Sequence, residues 1–236
     1  LRLVARGIHP AVANPLQVGT RDVATPEARF DLSQQILPYL LLLLAFIGGM
    51  QLAIDATAGE RERQSLEPLL ATPVARESII SAKILATAVF SLLSIAVTLI
   101  AYRLVFAVVP ARGMDASFNL GPGGLLQLFL IILPIVLLGA TVLTALAAFA
   151  RSYREAQGYL PLLMFLPMIP SLVLMVAPVR TQLWMLAVPF LSQNQMIVRV
   201  LRSERISALD WAVSLGASFA VVAVVWWIAA RLYHRE

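Results

Sequence analysis

Charged residues make up only 13% of this 236-residue chain. Yet Glu60, Arg61, Glu62, Arg63, Glu67, Arg76, Glu77 and Lys83 crowd into one segment between two long apolar runs. Side chains suited to covalent or metal chemistry are scarce elsewhere. The two histidines, His9 and His234, sit at opposite ends of the sequence, and there is no cysteine. Disulfides, thiolate metal sites and a cysteine nucleophile are thereby excluded, and no His/Glu cluster of the kind a metalloprotease needs is present. The chain also lacks a Gly-Lys-Ser/Thr phosphate loop, so it does not hydrolyse a nucleotide by that route. Recognition, rather than catalysis, is the chemistry left to the charged segment.

Its spacing supports that reading. Leu66, Leu69, Leu70, Pro73 and Val74 fall at the i, i+3, i+4, i+7, i+8 positions of one helix face. Arg63 and Glu67 stand four residues apart and are placed to pair. Pro68 cannot lie deep inside a helix, so the pattern predicts a charged helical turn up to Glu67, then a second short piece that Pro73 ends. The product is an amphipathic helix over 59–73 lying across the mouth of two spans. It could rest on lipid as an interfacial anchor. A helix meant for an anionic leaflet should be basic, however, and here Glu60, Glu62, Glu67 and Glu77 nearly balance Arg61, Arg63, Arg76 and Lys83. Balanced, alternating charge suits a protein partner better.

The elements that must hold this segment are membrane spans. Hydrophobic residues are 60% of the chain and mean hydropathy is +0.84, more than polar surface could cover in water. Runs of about 20 mostly apolar residues can cross a bilayer, and five qualify, near 36–54, 84–109, 125–150, 158–179 and 211–230. The fold class is therefore an all-α integral membrane protein with about five transmembrane helices. The fourth run holds Pro161, Pro167, Pro170 and Pro178 and is expected to be kinked or broken. Trp226, Trp227 and Tyr233 suit a membrane interface at the end of the fifth.

Residues 183–207 are too polar for a sixth span, which would put Gln193, Asn194, Gln195 and Arg199 in lipid. They read as a re-entrant or interfacial helical hairpin on one face of the membrane. Residues 1–35, with Pro10, Pro15 and Pro26, read as an exterior segment following an earlier span, which would make six in the full protein. The distribution of Lys and Arg slightly favours the charged loop and the C-terminus being cytoplasmic. The net charge of +5 is spread through loops rather than gathered on one face, which argues against nucleic acid.

Within the spans, Gln51, Asp55 and Arg103 are the candidates for lining a transport path. Arg103 has a second reading, in which it snorkels to the interface beside Leu104, Val105 and Phe106. So few ionisable residues in the spans disfavour the alternative function, an ion-gradient-driven secondary transporter or channel subunit. Ala212, Gly216 and Ala220 repeat every four residues and would admit a close helix; packing within the same subunit is the expected use.

The stretch "AGERERQSLEPLLATPVARESIISAKIL" resembles the signature between two spans of permease subunits in type-2 ABC exporters, particularly the NatB-like group. Gly59 to Arg63, Ser65 to Glu67, Leu69, Leu70, Thr72, Pro73 and Lys83 carry the match. A second stretch, "FARSYREAQGYLPLLMFLPMIP", is similar to the family's other inner loop, with Arg151, Ser152, Glu155, Ala156, Gln157 and Pro161 matching. The resemblance implies a multi-pass protein of the cell's inner (plasma) membrane, a permease that is not itself an enzyme. Its coupling helix would be Gly59, Glu60, Arg61, Glu62, Arg63, Ser65, Leu66, Glu67, Leu69, Leu70, Thr72, Pro73 and Arg76, docked on a separate ABC ATP-binding subunit. Arg151, Arg154, Glu155 and Gln157 would form the second inner loop. ATP and Mg would be held by the partner subunit, with no cofactor or metal on this chain. A second permease subunit, identical or different, would complete an efflux pathway, with sodium as the suggested cargo.

Overall fold

In lipid a backbone N–H or C=O has no water to turn to, so apolar runs satisfy those groups internally as helices. The computed structural model describes residues 32–65, 73–108, 121–176 and 182–235, which form helices and turns. The first helix, α1 (Leu32–Ile54), continues without a break through a π-helical turn (Asp55–Gly59) into a last short turn, α2 (Glu60–Glu62). Then follow α3 (Arg76–Val108), α4 (Pro122–Phe149) and the short α5 (Tyr153–Tyr159). A 3-10 segment (Leu160–Met164) leads directly into α6 (Phe165–Val176), and a second one (Leu183–Ala187) precedes α7 (Leu191–Leu201) and the last helix, α8 (Ala208–Arg235). Of the exterior segment expected over 1–35, residues up to 31 lie outside the described ones, and Leu32 already belongs to α1.

Four helical runs among the described residues are long and apolar enough to cross a membrane: Leu37–Glu62, Arg76–Leu104, Pro122–Phe149 and Ala208–Leu232. The protein is thus a multi-pass membrane protein, helical throughout its described elements. The expected fourth span near 158–179 is not a single helix. Pro161 opens a 3-10 segment and Pro170 sits inside α6, each removing a backbone donor from the ladder. The 3-10 segment and α6 together rise roughly 28 Å, close to the ~30 Å hydrocarbon thickness.

α4 is the most buried of the long helices and occupies the centre, packed against α1, α3 and α8. Leu42 and Phe46 from α1, Ile80 and Ile95 from α3, and Ile131, Ile135 and Leu143 from α4 are essentially fully buried. Where α1 meets α3, glycine allows close approach. A Cβ on Gly49 would lie 2.2 Å from Ser91 Oγ and 3.0 Å from the Thr87 carbonyl oxygen. Small residues at such a contact let backbones pack when lipid offers no hydrophobic drive for association. α3 turns the opposite way with Leu85, Val89, Leu93, Val97, Ile100 and Leu104, all more than half exposed, a continuous stripe left to lipid or another chain.

The hairpin over 183–207 is the 3-10 segment Leu183–Ala187, a turn and α7. It does not lie flat on the bundle surface. Phe190, at the turn, stacks on Phe46 in the middle of α1 with ring centroids 5.8 Å apart. Ser192, Gln193, Asn194 and Gln195 are buried and α7 packs on α1 and α4. Gln193 Oε1 accepts from the Phe190 N–H (2.8 Å) and from Ser192 Oγ (2.9 Å), while its Nε2 donates to Ser218 Oγ (2.8 Å). Arg199 pairs with Asp210 at 2.7 Å. These bonds give buried Gln193 and half-buried Arg199 the partners that burial demands, whereas Gln195 Oε1 is buried with none among the described residues.

The repeat on α8 departs from expectation. Ala212, Gly216 and Ala220 are exposed, and a Cβ on Gly216 would meet nothing within 4 Å. Ser214 and Ser218, two residues out of phase, are the ones turned inward and buried. The small stripe does not pack against the described residues of this chain.

Candidate functional site

The charged segment begins inside the first span's helix, where the π turn changes its course. A π turn holds one more residue than an α turn, so everything after it is rotated by about 100°. Thr57, Ala58 and Gly59 are buried in this turn, and Thr57 Oγ1 donates to the Ala53 carbonyl oxygen at 2.5 Å. Glu60 then faces α3, where its Oε2 lies 2.5 Å from Lys83 Nζ. Arg61 Nη1 donates to the Ala150 carbonyl oxygen at 3.4 Å. Glu62 Oε2 accepts the backbone N–H of Tyr153 at 2.8 Å.

The helix stops at Glu62, not at Glu67 as the position of Pro68 suggested. Gln64 adopts φ 57°, its N–H reaches the Arg61 carbonyl at 3.1 Å and the Ser65 N–H reaches the Glu60 carbonyl at 3.0 Å. That pair of bonds around a left-handed residue is a Schellman termination. Ser65 Oγ adds a third bond to the same Glu60 carbonyl at 3.2 Å. The usual signal for such a stop is glycine; here it is glutamine, which hid it. Leu66, Glu67, Leu69, Leu70 and Thr72 lie outside the described residues, and with them the proposed Arg63–Glu67 pair and the leucine stripe. Arg63, Pro73 and Arg76 are exposed, Pro73 in a bend and Arg76 as the first residue of α3.

The second loop meets the first. Ser152 caps α5, its Oγ accepting from the Glu155 N–H at 3.2 Å, and Glu155 Oε2 accepts from the Arg151 N–H at 2.7 Å. Arg151, Arg154, Glu155 and Gln157 are exposed. Gln51, a candidate for path lining, instead donates through Nε2 to the Tyr153 hydroxyl. Asp55 lies half-buried in the π turn. Arg103 is exposed and is not among the residues lining the apolar cavity of about 120 Å³ formed by Leu37, Leu41 and Leu44 with Leu99, Tyr102 and Leu128.

Both loops share one end of the bundle with the chain's C-terminal helix. Trp226 Nε1 donates to Ser81 Oγ at 3.1 Å, which places the end of α8 beside the start of α3, and the Arg231 guanidinium lies 4.1 Å above the Trp227 ring. Sequence reasoning named most of the charged residues here but missed Tyr153, whose backbone and hydroxyl both serve the contact. The Ser152-x-x-Glu155 spacing is a helix-start signature that could have marked it. Lys83 was matched to the motif, though its role as the partner of Glu60 was not foreseen. Chemically the site offers exposed Arg63, Arg76, Arg151 and Arg154 around the bonds that Glu60, Glu62 and Glu155 make.

Two charged loops thus meet at one end of a bundle of membrane-length helices, and the sequence comparisons give the class. The family described as "ABC-2 family transporter protein" matches over residues 6–231. The chain belongs to that family. It is 28% identical over 241 residues to "ABC transporter permease protein NatB" of Bacillus subtilis (strain 168), an alignment covering 98% of this chain. The chain spans 60% of the length of that relative. No solved structure matches it.

Proposed function

We propose that the chain is the transmembrane permease subunit of an ATP-driven ABC exporter. The observation that carries the reading is the joining of the two charged loops at one end of the bundle, through Glu62 and the Tyr153 N–H, with arginines exposed around them. A bundle whose two loops form a single charged platform is suited to receive a soluble subunit. In this reading the segment 59–73 is the coupling helix, the platform is cytoplasmic, and the partner is an ABC ATP-binding subunit that holds ATP and Mg. Five crossings, the fourth of them the broken 158–179 run, return the chain to the platform side at its C-terminus. The 183–207 hairpin is then an exterior re-entrant element. Two permeases, identical or different, frame the path.

ATP binding draws the partner subunits together, moves the platform and changes access to the path. The cargo suggested by the family resemblance is sodium. Purification of the full-length protein in mild detergent from its own cell tests the assignment. An ATP-hydrolysing subunit that accompanies the wild-type protein, and is lost when Leu66, Leu69 and Leu70 are changed together to Ser, supports it. A preparation free of any such subunit and of ATPase activity would shift the reading to an ion-coupled transporter. ATP-dependent extrusion of radiolabelled sodium from sealed vesicles decides the cargo: active ATPase without sodium movement assigns another substrate.

A further inference from the structure

We propose that Glu62 is a positioning residue that makes the first loop and α5 move as one body, so that motion received by the first loop is delivered to the broken helix that follows. This rests on the exporter reading above and names the residue that transmits the motion.

The first N–H groups of a helix have no acceptor within it. Ser152 Oγ takes the Glu155 N–H, which leaves the Tyr153 N–H to find a partner elsewhere. Glu62 supplies it from another loop, Oε2 to N at 2.8 Å. A carboxylate at this end of a helix is also favoured by the helix dipole. Two further bonds tie the same place. Arg61 reaches the Ala150 carbonyl at 3.4 Å, and the Tyr153 hydroxyl accepts from Gln51 of α1. Behind Glu62 the turn is held to α3 by the Glu60–Lys83 pair. The first loop, continuous with α1, is thus fastened to α3, to the Ala150 carbonyl that ends α4, and to α5.

The other end of α5 is fastened differently. Tyr159 donates from its hydroxyl to the Leu146 carbonyl of α4 at 2.7 Å. Between that anchor and Glu62 lie the 7 residues of α5, a short lever with one end on the first loop and the other on the central helix. Beyond Tyr159 the chain passes straight into the 3-10 segment and α6. Those two segments contain Pro161, Pro167 and Pro170, whose missing N–H groups leave the run fewer ladder bonds per turn than α4, where Pro134 is the interior proline. Displacing the Tyr153 end of α5 therefore bends this run before it bends α4.

This chain has no cysteine of its own, so cysteines introduced into it are its only thiol label sites. Amide exchange of the permease alone tests the link without any partner. Glu62→Ala should speed exchange at the start of α5 by about tenfold, the loss expected for one charge-assisted bond. Glu62→Gln, whose amide oxygen still accepts, should restore most of the protection. Unchanged exchange in Glu62→Ala overturns the proposal. The second arm uses spin labels on Arg63→Cys with Arg154→Cys, both exposed, in lipid discs with the ATP-binding subunit. Trapping nucleotide should leave that separation unchanged while it shifts a control pair, Arg63→Cys with Arg205→Cys. A change between 63 and 154 means that the loops move independently and overturns the proposal. If neither pair responds while amide exchange behaves as expected, the link exists but the exporter reading fails, and the coupling role fails with it.

Discussion

Lys83 Nζ and Glu60 Oε2 lie 2.5 Å apart, joining the end of the first membrane helix to the start of the second. The lysine side chain is only 9% exposed and the carboxylate 30%, so neither charge is well hydrated. Removing one partner of such a pair leaves the other poorly solvated, which costs more than the pair itself contributes. Lys83→Met should lower stability by about 1–2 kcal/mol, allowing for the partial exposure of Glu60. The double variant Lys83→Met/Glu60→Gln should recover much of the loss. Thermal unfolding of the four proteins in one detergent gives the cycle, and purely additive losses would show that the two residues do not interact.

The α1–α3 contact depends on the absence of a side chain at Gly49. A Cβ there would fall 2.8 Å from Thr87 Cγ2 and 3.0 Å from the Thr87 carbonyl oxygen. Ser91 Oγ can rotate away, but the Thr87 backbone cannot. Gly49→Val should therefore force the helices apart at a cost of about 1–3 kcal/mol. The readout is the fraction of protein recovered as a single peak after detergent extraction, compared with wild type. Gly216, with open space around it, is the matched control, and Gly216→Val should leave recovery unaltered.

Gln193 is fully buried and bonds to the Phe190 backbone, Ser192 and Ser218. Gln193→Leu keeps the size and removes all of these bonds, leaving the Phe190 N–H and the Ser192 and Ser218 hydroxyls in need of partners. At about 1–3 kcal/mol for each group left unsatisfied, the expected loss is about 3 kcal/mol or more. It should appear as a lowered unfolding temperature. Ser218→Ala, which removes a single bond, should cost about 1 kcal/mol.

Gln64 ends the first charged turn with a left-handed backbone, a conformation that disfavours any residue with a Cβ by about 1–2 kcal/mol. Gln64→Gly removes that cost and pays part of it back in chain entropy, for a net gain of up to about 1 kcal/mol. Gln64→Val, β-branched and poorly accommodated at positive φ, should destabilise. The unfolding temperatures of the two variants should therefore move in opposite directions from wild type.

How far the sequence revealed this architecture can be judged from particular residues. The long spans were visible because nothing but a bilayer accommodates runs such as α4, and the broken fourth run was visible in its prolines. The reach of the first helix was not. Its π turn leaves no sequence mark, and its stop at Glu62 rests on a glutamine where glycine is the usual sign. The acids of the charged loop were read as facing a partner because they balance the arginines. Two of them also bond within the chain, half-buried Glu60 to Lys83 and exposed Glu62 to the Tyr153 N–H, which was not foreseen because spacing along a chain says nothing about which other loop lies opposite. Gln51 was weighed as part of a path for the same reason, and it meets Tyr153. On α8 the small residues drew attention by their period, yet the inward face is the one bearing Ser214 and Ser218.

The central claim is that the 59–73 segment seats an ATP-binding subunit, and photo-crosslinking in the native membrane tests it most directly. A photoreactive residue placed singly at Arg63 or Val74, both exposed, should on illumination yield an adduct containing an ATP-hydrolysing protein, while the same residue at Arg205 should not. Adducts with lipid alone from both loop positions would contradict the account and make the segment a membrane anchor.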